Sequence, residues 1–401
     1  MKKYRWLVLS GVVATIAMAS MPMAAQAPRP AASIAAPAWT PPRTAWGDPD
    51  LQGIWRGAGG APFERPPQFE GREFLTDAEV AGRIERGERR KALQLAGKQE
   101  NRGFRNQPNY NSIISYSADP VRVSRRTSAI SDPPDGHLPP WTVEQVNRYE
   151  AREAATLGRG EADWTVDRPS GERCIPVVDA PVLGFWGMSL GGRTGGVAEA
   201  DDTNNVGEGF GNGGGGGAGG RIVQAPGYLA ITHEEAGDYQ IIPLDGRPHL
   251  GSKLRQWQGD PVGHWDGNTL VIETTNIKYP YPIITSYGPA YPGDGETLRF
   301  IQRYTRVGPD TIEYSQTVDD SAVYTRPYTV VGELRRDDLY KVSAPICHEG
   351  HDDMPSALAS ARVDEESALE NAADTRRQRE SRLKQLKERA IKAAEEAKKS
   401  R

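Results

Sequence analysis

From about residue 222 onward, apolar and polar side chains alternate with a period of two. In 311–318, Ile312, Tyr314 and Val318 fall on one face, and Glu313, Ser315 and Thr317 fall on the other. The runs 222–225, 228–233, 239–244, 269–277, 297–306, 311–318, 327–335 and 340–346 are rich in Val, Ile, Thr and Tyr, with turn residues between most of them. This pattern predicts strands in chain order joined by short connections, an antiparallel meander. Eight such strands are about what closes an up-and-down, calycin-like barrel around one small ligand. A two-sheet β-sandwich is the alternative.

Helical signals are confined to the flanks. Thr76 with Glu79, and Thr142 with Gln145, have the spacing of capping boxes and predict two helices ahead of the strands. Residues 204–220 are so rich in glycine that they read as a flexible loop. After Asp364 there is no aromatic residue, and Leu383, Leu386, Ala390, Ala393 and Ala397 make a thin apolar stripe. That predicts a charged helical tail over 363–401, mostly solvated, with weak self-association as a further role. The working divisions are a helical and turn-rich part at 46–203, the glycine-rich loop, a β meander at 221–362 and the tail.

The beginning of the chain changes the compartment. Lys2, Lys3 and Arg5 precede an apolar run, and Ala25-Gln26-Ala27 offers a small-x-small cleavage site. Residues 1–27 therefore read as a secretory signal, followed by an Ala/Pro-rich linker at 28–45. The expectation is a periplasmic or secreted protein of bacterial type with no membrane insertion after cleavage. Removing that segment takes away three cations and no acid, so the formal charge of −4 becomes −7. An exported acidic body without a basic face argues against nucleic acid as a partner. In an oxidising compartment the two cysteines, Cys174 and Cys347, are expected to form one disulfide, with a free catalytic thiol as the rival.

Several phrases recur in a known family. WGDPDLQGIW (46–55), RTSAISDPPDG (126–136), ERCIP (172–176), IIPLDGRPH (241–249), GHWDGNTLVIETTN (263–276), QRYTRVGPDTIEY (302–314) and CHEG (347–350) span most of 46–362. On these the chain resembles a family of largely uncharacterised secreted bacterial proteins, a resemblance that implies no established activity. A separate likeness is to lipocalins. Gly53-Ile-Trp55 is similar to the Gly-x-Trp of their first strand, where the indole plugs the barrel floor, and Gly263-His-Trp265 repeats the spacing.

Candidate chemistry gathers at the strand ends. His348, Glu349, His233 and Glu234 are the expected acid–base residues of a barrel lumen. Arg126, Glu273, Arg299, Arg303 and Glu313 are the expected substrate contacts; outward-facing positions in cross-strand ion pairs are the competing reading. His348, His351 and Asp352 are an alternative metal set, with His233, His249 or His264 completing it. Gly187-Met-Ser189-Leu-Gly191 matches a nucleophile elbow, but the glycines after it cannot start the helix that an elbow needs. Two main functions follow, with a metal-dependent hydrolase using His348 and His351 as a second alternative. One is an exported lyase or hydrolase without an organic cofactor, acting on a small sugar-derived or aromatic molecule. The other is a lipocalin-like binder of a small amphipathic ligand. Apolar, aromatic inward faces would favour the binder, and a polar lumen with His and Glu the enzyme.

Overall fold

The computed structural model describes residues 39–57, 61–95, 123–155, 220–233, 239–278, 284–285, 288–289, 296–338, 362, 377 and 380–399. Cys174, Cys347, His348, Glu349, Glu234, His351, Asp352 and the expected strand 340–346 lie outside these residues, as do residues 1–27, the expected signal, and Ser189.

Among the described residues the strands fall into one ten-stranded sheet, which the period-two runs build, and a separate short pair. In chain order they are β1 (Gly53–Gly57), β2 (Ile130–Asp132), β3 (Gly220–Ala225), β4 (Tyr228–His233), β5 (Tyr239–Pro243), β6 (Asp260–Asp266), β7 (Thr269–Thr275), the short pair β8 (Ile284–Thr285) and β9 (Gly288–Pro289), β10 (Arg299–Gly308), β11 (Thr311–Asp319) and β12 (Tyr328–Arg336). The ladder runs β5-β4-β3-β1-β12-β11-β10-β7-β6, every pair antiparallel, with β2 added to the first residues of β12. Ten of the twelve described strands belong to this one sheet, so the sandwich alternative falls away. Apart from the short β8–β9 pair and the added β2, the ladder is an up-and-down path whose two ends, β5 and β6, meet.

The seam between those ends follows from the strand count. Nine strands that alternate in direction cannot close with every pair antiparallel. β5 and β6 therefore run the same way, and no ladder joins them. Parallel neighbours need a long crossover, here residues 244–259. The seam is packed instead of hydrogen-bonded. A Cβ on Gly263 of β6 would sit 2.7 Å from Leu244 Cδ2 and 2.9 Å from Ile242 Cγ2, so only glycine lets the two strands approach this closely.

Inside the sheet, alternation places Trp55, Ile222, Leu229, Ile231, Ile242, Leu270, Ile272, Phe300, Tyr304, Ile312, Tyr314, Val318, Tyr328, Val330 and Leu334 in one buried cluster. Trp55 is fully buried, as its Gly-x-Trp context implies. Its Nε1 donates to Leu51 O at 2.8 Å, and the Arg306 guanidinium lies 5.6 Å above the ring.

Helix α1 (Asp77–Leu95) starts with the expected capping box. Glu79 Oε2 accepts from Thr76 N at 2.7 Å, and Thr76 Oγ1 accepts from Glu79 N at 3.3 Å. The Arg72 hydrogen bond, then those from Thr76, hold the Glu79 carboxyl at about 2. That depression means its contribution is present above the ordinary value of 4.5 and is lost as pH falls through 2.

Helix α2 (Val143–Ala155) keeps only half of its box. Thr142 Oγ1 accepts from Gln145 N at 3.1 Å, but Thr142 N donates to Val323 O at 2.9 Å. The Gln145 side chain is not needed for capping and lies fully buried with neither amide atom partnered.

The charged tail forms a helix, α3, over 380–399. Its expected stripe faces the body. Ala390 is buried, Leu383, Leu386 and Ala393 are half-buried, and Lys387 Nζ meets Glu150 Oε2 of α2 at 2.6 Å. Ala397, the last residue of that stripe, is exposed. Among the described residues no helix is long and apolar enough to cross a membrane.

Candidate functional site

The inward strand positions are mostly apolar and aromatic, but they also carry an uncharged polar set. On β10 and β11, Gln302 Nε2 donates to Tyr314 Oη at 3.1 Å, and Tyr314 Oη donates to Gln316 Oε1 at 2.6 Å. Burial pushes the Tyr314 phenol above its ordinary value, so it stays a neutral donor. On β3, Gln224 is saturated: its Oε1 accepts from Leu51 N at 2.7 Å and its Nε2 donates to Pro49 O at 3.1 Å.

Other members are left with unused valences. Gln240 Oε1 on β5, Thr274 Oγ1 on β7, Gln316 Nε2 on β11 and Trp265 Nε1 on β6 are buried without a hydrogen-bond partner. Gln240, Thr274 and Gln316 are 5%, 2% and 0% exposed, so bulk water does not serve them. Gln240 and Thr274 occupy the same end of the barrel. Gln240 Nε2 reaches Gln258 O at 3.5 Å, and the next residue, Gly259, packs against Thr274, where an added Cβ would lie 2.6 Å from Cγ2. Gln316 is one layer deeper: it pairs with Gln302, and Gln302 pairs with Ile272, two residues before Thr274. Each unmet buried polar atom costs about 1–3 kcal/mol.

The charged residues expected at the site lie elsewhere. Glu273, Arg299, Arg303 and Glu313 sit out of phase with the buried cluster, on the outer face of the sheet. Strand parity puts them on the face opposite their buried neighbours Ile272, Thr274, Phe300, Gln302, Tyr304, Ile312 and Tyr314. The structure does bring two of them together, since Arg299 Nη1 lies 3.6 Å from Glu273 Oε1 while Arg299 Nη2 holds Asp319 Oδ2 at 2.9 Å. Arg303 pairs separately with Asp266 at 2.7 Å, and Glu313 is exposed opposite Glu333.

Arg126 lies outside the sheet. Its Nη1 meets Glu73 Oε1 at 3.0 Å, its Nε donates to Ser128 O at 3.2 Å, and the guanidinium covers the Phe74 ring. These contacts tie it to the segment before α1. His233 is the last residue of β4 and pairs with Gly220. Among the described residues no group of three or more His, Cys, Asp or Glu side chains has the arrangement of a metal site.

Comparison with known protein families, with curated proteins and with solved structures finds no match.

Gln240, Thr274 and Gln316 had a signal in the sequence. Gln316 falls in phase with Ile312, Tyr314 and Val318, and Gln240 alternates with Ile241 in a run that ends inward at Ile242. A glutamine in phase with a core face is the mark of a buried polar position.

Proposed function

We propose that this protein is an exported barrel that binds a small neutral molecule in its interior. The observation that carries the reading is the set of unpartnered buried atoms Gln240 Oε1, Thr274 Oγ1 and Gln316 Nε2 on the inward faces of β5, β7 and β11. An acceptor, a hydroxyl and a donor together call for a guest that both donates and accepts hydrogen bonds. The aromatic and aliphatic surroundings suit an apolar or aromatic body, as in most small-molecule sites. No carboxylate or ammonium described on the inward strand faces would pair with a charged guest. Of the guanidinium groups in phase with the interior, Arg306 donates to Asp50 O, Gly308 O and Pro309 O, and Arg336 pairs with Asp338. Export, and membership of the secreted bacterial family, belong to the same proposal and rest on residues 1–27 and the quoted phrases.

The lumen enzyme is not favoured by its expected substrate contacts Glu273 and Glu313, which point away from the interior.

Thr274→Val tests the proposal, since valine keeps the shape and removes only the hydroxyl. Ligand-free Thr274→Val protein is expected to be more stable than the wild type by about 1 kcal/mol in urea unfolding, because an unmet buried hydroxyl is gone. It is also expected to bind small hydroxylated aromatic probes at least tenfold more weakly, followed by tryptophan fluorescence. Destabilisation of similar size, with probe affinity unchanged, would show that the hydroxyl is already satisfied and would end the proposal.

A further inference from the structure

The crossover that the parallel seam requires carries a second, independent arrangement on the outer wall. The loop 244–259 is pinned at both ends. At its start Arg247 Nη2 bonds Asp245 Oδ2 at 2.6 Å and Tyr228 Oη at 3.0 Å, and the Arg247 bond, the largest cause, holds the Asp245 carboxyl at about 2. At its end Gln256 O accepts from Lys278 N at 2.6 Å and from Gly259 N at 3.1 Å. Between the two, Leu250 O accepts from Asn276 Nδ2 at 2.8 Å.

His249 is thereby set between two carboxylates. Its Nδ1 lies 3.2 Å from Asp260 Oδ2, and that oxygen is itself fixed by Leu250 N at 2.7 Å. Its Nε2 faces Glu273 Oε1 at 3.6 Å, longer than a hydrogen bond. Arg299 lies on the far side of Glu273 and ties it to Asp319. The His249 side chain is a quarter exposed, Asp260 is 13% exposed and Glu273 is 36% exposed, so the ring is oriented by a nearly buried partner and is itself partly open to solvent.

A carboxylate on Nδ1 fixes the tautomer that carries its proton there and leaves the Nε2 lone pair outward. We propose that His249 is a general acid–base centre on the outer wall, with Asp260 as its positioning residue. The centre has three carboxylates to one guanidinium, so it suits a neutral substrate over an anionic one. With water and an ester, His249 Nε2 takes a proton from the water as the water oxygen adds to the carbonyl carbon. The tetrahedral adduct then expels the alkoxide or phenoxide, which takes the proton back from the imidazolium, leaving acid and alcohol. Glu273 lies opposite Nε2 at 3.6 Å, so its carboxylate faces the imidazolium that forms when Nε2 takes the proton.

The probe is 4-nitrophenyl acetate, with the purified full chain. His249→Ala is expected to lower the rate of nitrophenol release at least tenfold. Asp260→Asn is expected to lower kcat several-fold with KM unchanged, and Asp260→Glu to recover part of the loss. Equal rates in the wild type and His249→Ala would overturn the proposal. A second measurement avoids any folding defect. Diethyl pyrocarbonate modification of the wild type, read by peptide mapping, is expected to carbethoxylate His249 faster than the exposed His264. A His249 slower than His264 would show its Nε2 to be occupied, and would overturn the proposal equally. Neither result bears on ligand binding in the interior.

Discussion

Trp55→Ala is expected to cost about 4 kcal/mol of unfolding free energy, within the range for a buried tryptophan truncated in a core. The indole is fully buried, and β1, its strand, bridges β3 and β12 through a few residues of ladder on each side. Without the ring, Leu51 O loses its indole donor and the Arg306 guanidinium loses the surface it stacks on. Arg306 is 6% exposed, and burial already lowers its pKa from the ordinary value, with the nearby Arg336 charge adding to this. A cavity beneath a buried cation is costlier than one among aliphatics alone. Urea unfolding of Trp55→Ala and Trp55→Phe checks this: the alanine variant should lose most, and the phenylalanine variant should keep the larger share. Similar small losses in both would mean that the indole does not anchor the barrel floor.

Gly259→Val is the second large effect. The backbone at Gly259 has φ +73°, where a β-branched residue is strained. A Cβ there would lie 2.6 Å from Thr274 Cγ2, 2.7 Å from Thr275 O and 2.8 Å from Ile277 Cγ1. The carbonyl cannot give way, because β7 is held on both sides by β6 and β10. Left-handed strain of about 1–2 kcal/mol and overpacking of about 1–3 kcal/mol add to an expected loss of roughly 2–5 kcal/mol. The damage falls on the layer that holds Gln240 and Thr274, so probe binding should weaken along with stability. Gly227→Ala provides the contrast. It shares a positive φ of 76° but would meet nothing within 4 Å, so it should show the backbone strain alone. Equal losses at both positions would mean that the packing against Thr274 contributes nothing.

The fold was legible where one face of a strand is apolar. β3, β4, β5, β7, β10, β11 and β12 all follow from alternation, because each has a core side and a solvent side. β6 was not, since Pro261, Gly263, His264 and Asp266 dilute its apolar signature. Those residues belong to a seam strand, where close approach matters more than β propensity. The failed half of the Thr142 box has a similar cause: a tertiary carbonyl, Val323 O, took the donor that local sequence reserves for Gln145.

The candidate sites were legible in phase but not in partnership. Alternation puts Gln316 inward and Glu313 outward, and the same rule removes Glu273, Arg299 and Arg303 from the interior. What it cannot supply is which side chains meet. His249 and Asp260 face each other across the end of a crossover that exists because nine strands cannot close antiparallel, and Glu273 reaches them from the neighbouring strand β7. Those contacts come from topology, so the pattern along the chain gave Glu273 and Arg299 as candidates and named His249 only as one possible completing ligand of the metal set.

Native mass spectrometry of the purified protein, mixed with small neutral hydroxylated aromatic compounds and compared with Thr274→Val, tests interior binding most directly. The expected result is a one-to-one non-covalent adduct in the wild type that is lost or strongly reduced in the variant. An adduct of equal occupancy in both proteins, or none with any compound, would contradict a ligand site at Gln240, Thr274 and Gln316.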